Sequence, residues 1–198
     1  MSIGLISTLI MIHMSSCATS YQNPNLPALM PESEYLDTVN KYTEEKKLYD
    51  GFYETLEIKA TFVNSPVAMA QLDHKARIYQ WTQDQYNTNK SEFQGSLSKE
   101  TKVFISFFTP ERKHDDLHKP KTLWKIFLDS NGKRFEGKAE KLKTILADVQ
   151  SLYPTHNRFF TPYILTFPAP ANMLEHNINK LTLTGPVGSV SVEFKPSP

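Results

Sequence analysis

The segment KHDDLHK, residues 113–119, holds four side chains that could bind a metal ion: His114, Asp115, Asp116 and His118. Imidazole nitrogens bind zinc, and carboxylate oxygens bind harder cations. Two histidines four residues apart would share one face of a helix. Pro110 and Pro120 bound the segment, however, so a helix here would be short. The simpler interpretation is an exposed polar loop, and we predict no metal site. These four residues are nevertheless the best candidate for a metal site in the sequence.

His156 is the second residue with chemical potential, because it lies among aromatic residues in the segment YPTHNRFF. A histidine in such surroundings could act as a general base. More often it is a loop residue with a satisfied hydrogen bond. The sequence contains neither the Gly-x-Ser-x-Gly motif of a hydrolase nucleophile nor a glycine-rich phosphate-binding loop. The carboxylates of Asp115 and Asp116 are adjacent instead of facing each other across a cleft, as glycosidases require. We therefore predict a non-enzymatic protein without a cofactor.

Trp81 is a candidate for partner recognition, because it interrupts the polar face of a predicted helix whose apolar stripe includes Tyr79. An exposed aromatic side chain could mark a protein-binding surface. A wider buried face on the same helix is the alternative, and we favour it.

The charge balance excludes one class of partner. The chain has 198 residues, with 22 Lys and Arg against 21 Asp and Glu. A nearly neutral chain argues against a large basic face for nucleic acid. Aromatic residues make up 12 % of the sequence, which is enough bulk for a packed core.

Cys17, the only cysteine, follows an apolar leader. Residues 1–16, MSIGLISTLIMIHMSS, lack charged side chains apart from histidine, and their apolar stretch is too short to span a bilayer. Such a stretch is typical of a secretory signal peptide. The residues Met14-Ser15-Ser16-Cys17 resemble the lipobox of bacterial lipoproteins, although leucine is usual where methionine stands and no Lys or Arg precedes the leader. A free cysteine behind an ordinary signal, or a short buried strand, is the alternative interpretation.

This resemblance implies a lipid anchor and a location. The signal peptide would be cut before Cys17, whose sulfur and new amino terminus would carry acyl chains that hold the protein on a membrane. Because Ala18 replaces the Asp that often favours inner-membrane retention, the resemblance implies an outer-membrane lipoprotein that faces the periplasm or the surface. The mature chain would then contain no free thiol, which avoids mispairing in an oxidising compartment.

Three parts follow from the pattern along the chain: a signal peptide (1–16), a lipidated cysteine with a flexible tether (17–33), and one globular domain (34–198). Proline, asparagine and serine dominate the tether. A polar helix is predicted from residue 33 to about 49, with the run Glu-Glu-Lys-Lys (44–47) on its solvated face. Residues 52–63 alternate as a half-buried strand, with Glu54 as the exception.

The apolar spacing then changes to that of a helix. A Ser65 cap and Pro66 in the first turn predict one long helix from 66 to about 93. Strands follow at 101–110, 122–137 with an Asn-Gly turn, 158–168, and 180–194 as a hairpin. Residues 139–154 favour a short helix, with a strand and loop as the alternative. We expect an α+β, mainly β fold: an antiparallel immunoglobulin-like sandwich with a long helix inserted after the first strand.

Together these features predict a membrane-anchored envelope lipoprotein with a protein-binding or structural role and no nucleic-acid partner. Two alternatives stay open: a metal-dependent enzyme that uses loop 114–118, and a carrier of an apolar ligand held between helix and sheet.

Overall fold

A computed structural model describes residues 25–197. The predicted signal peptide, Cys17 and the first part of the predicted tether lie outside the described residues. The helices of the described part are α1 (Glu32–Lys41), α2 (Ser65–Ile78), α3 (Gln83–Leu97), α4 (Leu146–Leu152) and α5 (Ala171–Leu174). Its strands are β1 (Thr43–Asp50), β2 (Tyr53–Val63), β3 (Thr101–Phe108), β4 (Lys125–Ser130), β5 (Lys133–Glu136), β6 (Lys138–Lys141), β7 (Thr161–Phe167), β8 (Asn179–Gly185) and β9 (Gly188–Phe194). A short 3-10 helix spans Arg112–His114.

The strands of the described residues form two sheets. The large sheet has the order β1-β2-β3-β7-β6, and the small sheet has the order β5-β4-β8-β9. Every pairing in both sheets is antiparallel. The predicted antiparallel, mainly β α+β fold is therefore confirmed at this level. The immunoglobulin-like arrangement stays a prediction.

One hydrophobic cluster joins the two sheets. Ile58, Ile105 and Leu165 of the large sheet share it with Leu128 and Leu183 of the small sheet, and all five are fully buried. Each of these residues belongs to an apolar set that recurs at every second position of its strand. Period-two alternation therefore builds the core, because it places one side of each strand toward the facing sheet.

Two tight turns match their sequence signals. Asn131 and Gly132 join β4 to β5, and both have positive φ angles, 46° and 73°. Two consecutive positive φ angles are typical of a type I′ hairpin turn, for which Asn-Gly is the preferred dipeptide. The turn between β8 and β9 lies at 185–188, as predicted.

The predicted helix over 33–49 is wrong in its second half. α1 ends at Lys41, and the run from Glu44 to Lys47 belongs to β1. The residues of this run pair with β2, and Lys47 lies opposite Glu57. Opposite charges on neighbouring strands stabilise this pairing, and the partner strand overrides the helical preference of Glu and Lys.

The predicted long helix is two helices. Gln80 has a φ of 51° and ends the helical geometry after α2. Thr82 then caps α3: its hydroxyl accepts the backbone N–H of Gln85, whose side chain accepts the backbone N–H of Thr82. The apolar positions of the two helices therefore face each other, and Leu72 packs against Tyr86.

The beginning of α2 also differs from its prediction by one residue. The cap is Asn64, whose side chain accepts the backbone N–H of Val67. Ser65 is the first helical residue, and its N–H and hydroxyl both donate to the carboxylate of Glu175 at 2.7 and 2.9 Å. A carboxylate at this end of a helix stabilises the unpaired N–H groups there.

Residues 139–154 contain both of the predicted alternatives. They begin in β6, at an edge of the large sheet, and end in α4. α4 packs on the large sheet, where the ring of Tyr153 stacks on Phe104 with centroids 3.6 Å apart.

The described end of the predicted tether, residues 25–31, contacts α2 and α3. The backbone N–H of Met30 donates to the carboxylate of Asp73 at 2.9 Å, and the guanidinium of Arg77 donates to the carbonyl of Met30. The backbone N–H of Gln83 donates to the carbonyl of Asn25. We call this set of contacts the N-terminal clamp.

Candidate binding surface at the hairpin end

The β1–β2 hairpin extends past the rest of the large sheet. β3 ends at Phe108, which pairs with Glu57, so the first four residues of β2 have no partner in β3. The turn between β1 and β2 includes Gly51, whose φ of 59° suits a residue without a Cβ atom.

Three aromatic side chains are exposed at the tip of this hairpin. Phe52 is fully exposed, Tyr53 is 81 % exposed and Tyr49 is 54 % exposed. Single exposed apolar residues are common on protein surfaces, but neighbouring ones often mark an interaction site. The tip therefore has the composition of a recognition surface.

A bulge near the tip turns Glu54 to the outer face of the sheet. Leu48 pairs with Leu56 and Tyr49 pairs with Glu54, so Thr55 is the extra residue. One extra residue reverses the alternation of side chains beyond it. This explains why Glu54 breaks the apolar pattern of β2 in the sequence.

A pocket lies beside the hairpin. Its volume is about 470 Å³, and its lining residues are Glu54, Glu57, Phe108, Pro110, Phe159 and Phe160. The ring centroids of Phe108 and Phe160 are 5.7 Å apart, and Phe159 is exposed at the pocket rim. We call the hairpin tip and this pocket together the hairpin end.

Charged residues surround the pocket and pair with each other. The ammonium of Lys47 lies 3.3 Å from the carboxylate of Glu57 and 3.9 Å from that of Glu54. Lys59 lies 3.9 Å from the carboxylate of Glu57, and its ammonium is 5.4 Å from the centre of the Phe160 ring. Burial raises the pKa of Glu57, and Lys47 opposes that shift.

The hairpin end therefore suits a cationic group. The two lysines also contact Glu45, so three carboxylates share two ammonium groups and one negative charge is unbalanced. Aromatic faces attract cations, and a carboxylate adds a charged hydrogen bond. A lysine or arginine side chain of a partner protein has this chemistry.

The KHDDLHK loop connects β3 to β4 and is fastened to β7. The carboxylate of Asp115 accepts hydroxyl hydrogen bonds from Thr161 at 2.6 Å and from Tyr163 at 2.9 Å. Its side chain is 10 % exposed. Burial, together with Asp115, raises the pKa of Tyr163. Asp115 therefore holds the loop against the sheet.

The other three candidate ligands point to different partners. Asp116 accepts a hydrogen bond from the hydroxyl of Thr122, the Nδ1 atom of His118 lies 3.4 Å from the hydroxyl of Tyr163, and the Nε2 atom of His114 lies 3.5 Å from the carboxylate of Glu111. Within residues 25–197, no three His, Cys, Asp or Glu side chains are grouped so that they could hold a metal ion.

His156 is buried, and its Nδ1 atom lies 2.7 Å from the hydroxyl of Ser106, which is itself fully buried. Burial lowers the pKa of His156, so the ring is held neutral. A base and a hydroxyl in such a position resemble a catalytic pair, but a substrate cannot reach a fully buried serine. The pair fixes the loop before β7 to the outer face of β3.

Trp81 is half-buried and packs against the cluster of Leu72, Ala76 and Tyr86, which agrees with the buried face that we favour from the sequence. Tyr79, predicted on the apolar stripe, is instead exposed. The two rings lie 6.1 Å apart. The helix break at Gln80 explains the exposure of Tyr79, because it changes the direction of the chain between the two residues.

The sequence analysis does not predict the hairpin end, because it assigns residues 43–49 to a helix that in fact ends at Lys41. The dipeptide Asp50-Gly51, with aromatic residues on both sides, is a hairpin signal that could have located it.

No protein-family model, no curated protein and no solved structure matches the chain. No helix among the described residues has the length and apolar character of a membrane span.

Proposed function

We propose that this chain is a non-enzymatic envelope lipoprotein, anchored through Cys17, whose folded domain binds a partner protein at the hairpin end. The observation that carries the binding role is the exposure of Tyr49, Phe52 and Tyr53 on a hairpin that extends past its sheet. Tyrosine is among the residues enriched in protein interfaces, and extended hairpins offer both side chains and strand edges.

The roles of the polar candidates support a binding protein more than an enzyme. Asp115 bonds to Thr161 and His156 bonds to Ser106, and each of these hydrogen bonds holds a loop against the large sheet. The anchor and the outer-membrane location rest on the sequence of residues 1–18, and we propose them on that basis.

Site-specific crosslinking in cells tests the binding role. A photoreactive phenylalanine analogue at Phe52 of the full chain should give a discrete crosslinked product that contains one specific partner. The matched control places the same analogue at Lys133, which is exposed on the β4–β5 hairpin. Tyr53→Ser, combined with the Phe52 analogue, should reduce the product at least fivefold. Equal products at the two positions, or none at Phe52, would refute recognition through this hairpin.

A second function, carriage of a ligand with an apolar body, is favoured by a separate observation: a groove beside α2 and α4.

A further inference from the structure

An apolar groove lies where α2, α4 and the large sheet meet. It has a volume of about 440 Å³. One wall is the end of α2, with Lys75, Ile78 and Tyr79. Leu142 and Ile164 come from the β6–α4 connection and from β7. Volumes of this size are typical of sites for small organic ligands.

A second cavity of about 480 Å³ adjoins the groove. The two share Lys75, Leu152, Tyr153 and Ile164 as lining residues. Lys75 therefore lies where they meet. Burial raises the pKa of Tyr153 to about 12, so its hydroxyl stays protonated and able to donate.

Lys75 is the unusual residue of this groove. It is half-buried, and among the described residues no carboxylate lies within 4 Å of its ammonium. Its ammonium lies 5.2 Å from the centre of the Phe93 ring. Burial lowers its pKa, and no neighbouring acid offsets that effect. Lys102 in the adjoining cavity differs, since its ammonium lies 2.9 Å from the carboxylate of Glu100.

We propose that this groove binds a single-chain anionic amphiphile of the fatty-acid class, with its carboxylate on Lys75 and its chain along Ile78, Leu142 and Ile164. Asp148 is the carboxylate of the groove lining, and it is exposed and forms no ion pair with Lys75. A bound anion would therefore give Lys75 the close counterion that it lacks among the described residues. The apolar walls remove the hydrocarbon from water. The inference goes beyond the proposed protein-binding function and uses no residue of the hairpin end.

Calorimetric titration with dodecanoate below its micelle concentration tests the proposal. The protein is the full chain with Cys17→Ser, which removes the predicted anchor. Saturable binding is expected, and Lys75→Gln should raise Kd at least tenfold. The matched control is Lys102→Gln, which changes a lysine already paired with Glu100 and should alter Kd less than twofold. Dodecanol, an uncharged ligand of the same length, should bind equally to the parent and to Lys75→Gln.

A second variant keeps the test decisive if Lys75→Gln disturbs folding. Ala147 lines the groove and is exposed, so Ala147→Phe should fill the groove without loss of the circular dichroism spectrum and should abolish binding. Absence of saturable dodecanoate binding to the parent would overturn the proposal. So would equal affinity in Lys75→Gln, or unchanged affinity in Ala147→Phe. None of these results bears on crosslinking at Phe52, so the two proposals fail separately.

Discussion

Asp115 illustrates how a residue of catalytic type can serve the fold. Its carboxylate accepts hydrogen bonds from two hydroxyl groups of β7 and so joins the sixteen-residue connection between β3 and β4 to the sheet. The sequence marks such a residue only as an acid in a polar loop, because its hydroxyl partners lie more than forty positions away.

Removal of this carboxylate should destabilise the domain. Asp115→Ala leaves two buried hydroxyl groups without their acceptor, and the cost should be about 2 kcal/mol of unfolding free energy. Urea denaturation of the full chain measures it. Asp116→Ala is the matched control: it removes one acceptor, for Thr122, and should cost less than about 1 kcal/mol. Equal losses of unfolding free energy in the two variants would contradict the role of Asp115 in holding the loop against β7.

The buried His156 should make stability depend on pH. Its folded pKa is lower than its unfolded value, so the unfolded chain binds more protons between those two values. Stability should therefore fall as pH drops below about 6.5, by no more than about 1.4 kcal/mol per pH unit for this residue. His156→Gln should flatten that part of the profile, as measured by urea titrations between pH 4.5 and 7.5. A profile identical to that of the parent would exclude His156 as its source.

At the scale of elements, the break between α2 and α3 decides how the helical layer packs. Because the chain changes direction there, the apolar side chains of α2 and α3 pack against each other, as Leu72 does against Tyr86. The cap at Thr82 makes the new helix begin at a defined residue.

Loss of this cap should weaken the helical layer. Thr82→Ala removes the hydroxyl that accepts the N–H of Gln85, and we expect a loss of about 1 kcal/mol in unfolding free energy. Thr88→Ala, within the same helix, is the control and should be neutral or slightly stabilising, since alanine is the better helix former. A loss in Thr88→Ala equal to that in Thr82→Ala would argue against a specific capping effect.

The sequence predicts the elements that depend on local patterns. Alternation predicts β2, a run that is apolar on both faces predicts β3, and Asn131-Gly132 predicts a turn, because these signals act between neighbouring residues. The sequence does not predict β1, because its Glu and Lys residues adopt a strand only through pairing with β2. The hairpin end is not predicted without β1, because its tip joins β1 to β2. The groove around Lys75 is not predicted because α2, α4 and β7, which line it, are distant in the chain. The groove has no sequence motif of its own, whereas Asp50-Gly51 is a turn signal for the hairpin end.

At the scale of the whole molecule, the two proposed sites use different parts of the fold. The hairpin end is built from the turns and loops of the large sheet, whereas the groove is built from helices against that sheet. Binding at one can therefore be removed by substitution while the other is kept.

The proposed lipid anchor at Cys17 also concerns the whole chain. Cys17→Ser removes the predicted site of lipid attachment, so the variant should remain uncleaved or become soluble. Membrane fractionation and intact-mass measurement check this result. Ser16→Ala is the control, because it keeps a small residue before the cysteine. Unchanged fractionation and unchanged mass in Cys17→Ser would refute the lipoprotein proposal.

The N-terminal clamp has a mechanical consequence. A force applied through the predicted tether reaches α2 before α1, because Asp73 and Arg77 of α2 hold the backbone N–H and the carbonyl of Met30. When the full chain is stretched between its ends, a short extension should therefore precede the unfolding of the domain. Asp73→Ala should lower the force of that first step in optical tweezers, and an unchanged first step would contradict this path of load. The N-terminal clamp would thus break at a lower force than the two sheets, and its rupture would release the tether before the domain unfolds.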